Sequence, residues 1–88
     1  MNVFDEDDIT YFKFETDITG EQSIAFQNQL KQSIADGKHH FSFHLENVNN
    51  IDTTGICAFI ALKKQIAKNG IIDYNGAQDS IELLLNSI

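Results

Sequence analysis

The sequence predicts an α/β fold, a small domain with a mainly parallel four-stranded sheet and about three helices. Apolar residues alternate with polar ones in short runs, as on half-buried strands, and between those runs they recur at helical intervals. Strand and helix signals also alternate along the 88 residues, and such crossover units give parallel strands with right-handed connections.

From Ile9 to Ile18, Phe12, Phe14, Thr16 and Ile18 alternate with Lys13, Glu15 and Asp17, which predicts the first strand. The acidic stretch before it, Asp5 to Asp8, reads as a frayed, solvated end. Thr19-Gly20-Glu21-Gln22 has capping-box spacing and predicts Thr19 as the N-cap of a helix carrying Phe26, Leu30 and Ile34. Asp36-Gly37 ends that helix, with glycine free to take a left-handed conformation.

His40 to Leu45 alternates again and puts Phe41, Phe43 and Leu45 on one face of a second strand. A polar turn follows, and then Ile51-Asp52-Thr53-Thr54-Gly55 leads into a second helix. Ile56, Phe59, Ile60 and Ile66 occupy one side of it and Lys63, Lys64 and Lys68 the other, before Asn69-Gly70 closes it. Ile71 to Tyr74 is a short strand and Asn75-Gly76 a turn. Asp79 is the expected N-cap of a last helix with Ile81, Leu84, Leu85 and Ile88 on one face. The expected core is Phe12, Phe14, Phe41, Phe43, Leu45, Ile60 and Leu84.

Residues 1–88 read as one domain, since 42% hydrophobic content with seven Phe and two Tyr fills one core and leaves no room for a second. No apolar run is long enough to cross a membrane, and the first residues are acidic where a signal peptide would be basic. A cytoplasmic location without membrane insertion is therefore expected. A single Cys57 in an apolar run fits a reducing compartment. Six lysines, no arginine and 13 acidic residues give a net charge of −7, the reverse of a nucleic-acid footprint.

His39, His40 and His44 crowd together, but no cysteine and few carboxylates lie near enough in sequence to complete a metal site. They read as structural or solvent-facing, and neither metal nor cofactor is expected. The five glycines stand singly at element boundaries, unlike a phosphate-binding loop. No nucleophile signature of the G-x-S-x-G kind occurs, so an enzyme is not expected. What remains is Asp52-Thr53-Thr54-Gly55, two hydroxyls between a polar loop and an apolar helix. Asp52 or a threonine oxygen there can cap the helix, worth about 1 kcal/mol. A threonine at a helix start can also be a switch, because a phosphoryl group is favoured by the helix dipole and alters the surface a partner reads.

The segment from His40 to Ile66 resembles the diagnostic region of STAS domains: an apolar strand, a polar stretch ending in Ile51, and an Asp-hydroxyl-hydroxyl-Gly tetrad entering an apolar helix. The tetrad looks like the Asp-Ser-Ser-Gly of anti-sigma-factor antagonists, in which the second hydroxyl is the kinase target. That position is Thr54 here. The resemblance implies a phosphorylation-switched module that binds a kinase-like anti-sigma factor when unphosphorylated and is restored by a serine/threonine phosphatase. Thr54 would be the phosphorylation site, and Asp52, Thr53, Gly55, Ile56 and Thr19 would form the partner-binding surface. An alternative follows from STAS subunits that dock on the ATPase of ABC lipid transporters. Their tetrad resembles Asp-Thr-Ala-Gly, so Thr53 would be the contact.

Three positions depart from the antagonist pattern. Thr16-Asp17-Ile18-Thr19 stands where a Gly-x-Leu-Asp turn is common, which leaves an acidic residue near the site missing or shifted. Cys57 replaces a frequent glycine, and Ile88 falls short of the final strand and helix of many members.

Overall fold

The computed structural model describes residues 1–66 and 68–88. Its elements run β1 (Asn2–Glu6), β2 (Ile9–Lys13), α1 (Glu21–Ala35), β3 (His40–His44), α2 (Thr53–Ile66), β4 (Ile71–Asn75) and α3 (Asp79–Asn86). The four strands form one sheet in the order β1-β2-β3-β4. β1 pairs antiparallel with β2, while β2 with β3 and β3 with β4 are parallel, so the sheet is mixed and mostly parallel as expected.

The fourth strand lies where the sequence suggested a solvated end. Asp7 and Asp8 both take positive φ, 52° and 66°, and join Glu6 to Ile9 across a two-residue turn. Such left-handed pairs match the twist of a hairpin, and aspartate tolerates the conformation better than most residues. Acidity here marks a turn and a solvent-facing edge strand, not fraying.

The first predicted strand stops early, at Lys13 instead of Ile18. Phe14 still donates its amide to the His44 carbonyl at 3.3 Å, but the chain then bends, and Ile18 returns to form an isolated parallel bridge with Ile51. The helix starts differ as well. Gly20, with φ 55°, is the N-cap residue of α1, and Thr19 gives only its carbonyl oxygen, to the amide of Gln22. Gln78 precedes α3, so Asp79 is its first residue and not its cap.

Thr10 and Phe12 of β2, Phe41 and Phe43 of β3, and Ile72 and Tyr74 of β4 share the face that the helices cover. Phe12 and Phe43 meet Phe26 of α1 at ring distances of 5.6 and 5.9 Å, and Phe43 meets Phe59 of α2 at 5.1 Å. Phe12, Phe14, Phe41, Phe43 and Leu45 are buried as expected, but Ile60 and Leu84 are only partly so. Phe59 and Leu85, on the same predicted faces, take the fully inward positions, and Ile60 and Leu84 lie at the margins of the buried stripes. Lys63 stitches α3 to α2 by donating to the backbone oxygens of Leu85 and Ile88, at 2.7 and 2.9 Å.

Candidate functional site

The predicted tetrad lies at the start of α2, at the end of the sheet where the chain leaves β2 and β3. The structure assigns the cap to Asp52. Its Oδ1 accepts from the Gly55 amide at 3.0 Å and its carbonyl oxygen from the Ile56 amide at 2.9 Å, an N-cap arrangement that satisfies amides α2 cannot pair internally.

The second carboxylate oxygen reaches the other helix. Oδ2 accepts from the Gly20 amide at 2.8 Å and lies 3.0 Å from the Ser23 hydroxyl. That hydroxyl is also 2.8 Å from the Gly20 carbonyl oxygen, and its single proton serves one acceptor at a time. One carboxylate thus caps α2 and ties down the start of α1. The Gly55 and Gly20 amides, in that order, hold its pKa below the ordinary value of 3.8.

Asp17 forms a second clamp. Its Oδ1 accepts from the amides of Asn49 and Asn50, at 2.7 and 3.2 Å, and its Oδ2 from the Asn50 side chain at 3.1 Å. These bonds, led by that of Asn49, lower its pKa as well. Asp17 thus places a carboxylate beside the site, two positions before Thr19, where it fixes the loop preceding the tetrad. The backbone laces the same segments together: Ile18 donates to Asn50 and Asp52 donates to Ile18, both at 3.0 Å.

Thr53 and Thr54 are the first two residues of α2; Thr53 is exposed and Thr54 half-buried. Ile56 is partly exposed and Thr19 exposed, so both can meet a partner. Gly55 is buried and supports this surface from beneath. A Cβ on it would come within 2.7 Å of Ile51 Cγ2 and 2.9 Å of Ile18 Cγ2. Its lack of a side chain admits the protein's own loop, not a partner.

The other candidates lie elsewhere. His40 pairs with Asp73 at 2.9 Å on the uncovered face of the sheet, where His44 also lies beside Tyr11. Among the described residues no group of three His, Cys, Asp or Glu is placed to hold a metal ion. No described helix is long and apolar enough to cross a membrane. Cys57, although it stands in an apolar run, is exposed on α2.

Two solved structures share this architecture. The NMR structure of the protein TM1081 superposes with a TM-score of 0.76 at 16% identity, over 97% of this chain and 70% of that one. The crystal structure of Mglu gives 0.68 at 16% identity over 89% of this chain, which spans only 20% of Mglu. At such identities the likeness is one of fold. No curated protein matches the sequence. The sequence model of the STAS domain matches residues 1–72, which include all four segments joined by Asp17 and Asp52, and the chain belongs to the STAS domain family.

Proposed function

We propose that this domain is a phosphorylation-switched binding module of the anti-sigma-factor-antagonist kind, with no catalytic step of its own. STAS domains generally mediate protein–protein interactions. The observation that carries the reading is the helix start. Asp52 takes over the capping, which leaves the hydroxyls of Thr53 and Thr54 free of that duty on a surface pinned by its hydrogen bonds.

In this reading the unphosphorylated surface around Thr54 binds a kinase-like anti-sigma factor and displaces that regulator's other client. Phosphorylation of Thr54 adds about −1.5 to −2 charges. At a helix N-terminus the dipole accommodates that charge, so the fold survives while the contact surface is changed. A serine/threonine phosphatase reverses the step. Neither nucleic acid, membrane nor cofactor takes part.

A second reading, docking on the ATPase of an ABC lipid transporter, draws on the exposure of Thr53 beside a half-buried Thr54. Intact mass of the protein from its own cells, with identification of what co-purifies, tests both. The switch reading predicts a fraction heavier by one phosphoryl group and a kinase-like partner. A transporter ATPase bound to protein that is never phosphorylated would replace it with the second.

A further inference from the structure

A groove follows the seam between α1 and α2 and opens at the pole opposite Thr54. Its wide end, about 430 Å³, lies between the turn after α1 and the turn after α2. A narrow arm of about 50 Å³ continues over Leu30 and Ala58, and the two parts share Ile34 and Gln65. Its charge is opposite to that of the protein. Lys38, Lys64, Lys68 and His39 line the wide end and Lys31 the arm, while no carboxylate among the described residues lines either. Four of six lysines are thus gathered at one groove in a chain with 13 acidic residues.

The helix dipole favours a lysine near the end of α2, which accounts for Lys64 but not for Lys31 or Lys38, nor for the missing carboxylates. It also bears on the ligand. Helix ends present carbonyl oxygens, not amides, so a compact anion would find no backbone cradle here. Long lysine stems above an apolar floor suit carboxylates carried on a chain with apolar side chains between them. Lys38 pairs with Asp5 at 3.6 Å across solvent, and an exposed pair of this kind gives way easily to a competing carboxylate.

We propose that this groove docks an acidic, amphipathic peptide segment of a partner protein. It is separate from the tetrad: Lys64 stands ten positions after Thr54 along α2, about 15 Å away. The inference therefore stands without the switch reading.

The test uses the whole domain and a fluorescent synthetic peptide of Glu, Leu and Phe, with a Lys, Leu and Phe peptide and inorganic tripolyphosphate as comparisons. Backbone amide shifts should concentrate at residues 34–39 and 64–70. Affinity should fall at least about tenfold from low to high salt. The double variant Lys64→Glu, Lys68→Glu should lose about tenfold or more, and Lys13→Glu, on the uncovered sheet face, nothing. Shifts spread over the surface or centred on Thr54, equal binding of the basic peptide, or equal loss in Lys13→Glu would overturn the proposal. So would competition by tripolyphosphate as strong as the peptide's own binding, which would mark a general anion site.

Discussion

Beneath the sheet, Phe12, Phe26, Phe43 and Phe59 interlock with ring centroids 4.9 to 5.9 Å apart and no exposed surface. At the helix starts, four segments meet through two carboxylates that still touch solvent. The core is held by contact area, which is indifferent to direction. The helix-start pole is held by directional bonds whose loss would alter the position of Thr53 and Thr54 more than the total stability. Stability and site geometry are thereby assigned to different regions, and each can be disturbed with limited damage to the other.

The largest effect should come from the core. Phe43→Ala should cost about 3 to 5 kcal/mol, much of the stability of a domain this small, measured by urea unfolding. Gly55→Ala strikes where the two regions meet, because the new Cβ would press on Ile51 and Ile18. A cost of about 1 to 3 kcal/mol is expected, with amide shifts reaching residues 17–20 of the loop before α1.

Tyr74→Phe should go the other way. The Tyr74 hydroxyl is buried with no hydrogen-bond partner among the described residues, so its removal should stabilise by about 1 kcal/mol in the same assay. Burial also raises its pKa above 10.0. The unfolded chain therefore ionises first, and the wild type should lose stability above that pH where Tyr74→Phe does not.

The smallest effect on stability, and the most telling for the pole, concerns Asp52. Its folded pKa lies below the unfolded 3.8, so its contribution is present above that value and is lost as pH falls through the folded one. Asp17 behaves in the same way. Thermal unfolding between pH 2 and 7 should show Asp52→Asn with a shallower acid slope than the wild type. An unchanged slope would mean that the carboxylate does not hold the two helix starts.

The core was legible because alternation depends only on neighbours in sequence: Phe12, Phe14, Phe41, Phe43 and Leu45 all face inward. Ile60 and Leu84 were misplaced because α2 and α3 have apolar residues on either side of the buried stripe, and packing chooses among them. β1 was missed because four consecutive acids mask a strand that needs only one half-buried face. At the site, Asp52 as a capping residue could be read locally. Its bond to Gly20 spans 32 residues, as does that of Asp17 to Asn49, and no local pattern reports a partner so distant. The Thr19 to Gln22 stretch even suggested a self-sufficient cap at Thr19, but α1 has no side-chain cap, and its start is tied down by the bond from the Gly20 amide to Asp52 across the fold.

The central claim is that Thr54 switches a surface whose shape Asp52 maintains. Its most direct test is phosphate incorporation into the wild type, Thr53→Ala and Thr54→Ala by the kinase-like partner that the proposed function predicts, with partner affinity measured before and after. Because the cap belongs to Asp52, Thr54→Ala should unfold close to the wild type, so lost incorporation cannot be blamed on a lost fold. The account predicts that Thr53→Ala is phosphorylated, that Thr54→Ala is not and keeps binding, and that the phosphorylated wild type binds at least about tenfold more weakly. Incorporation that persists in Thr54→Ala and vanishes in Thr53→Ala, or a phosphorylated wild type with undiminished affinity, would contradict it.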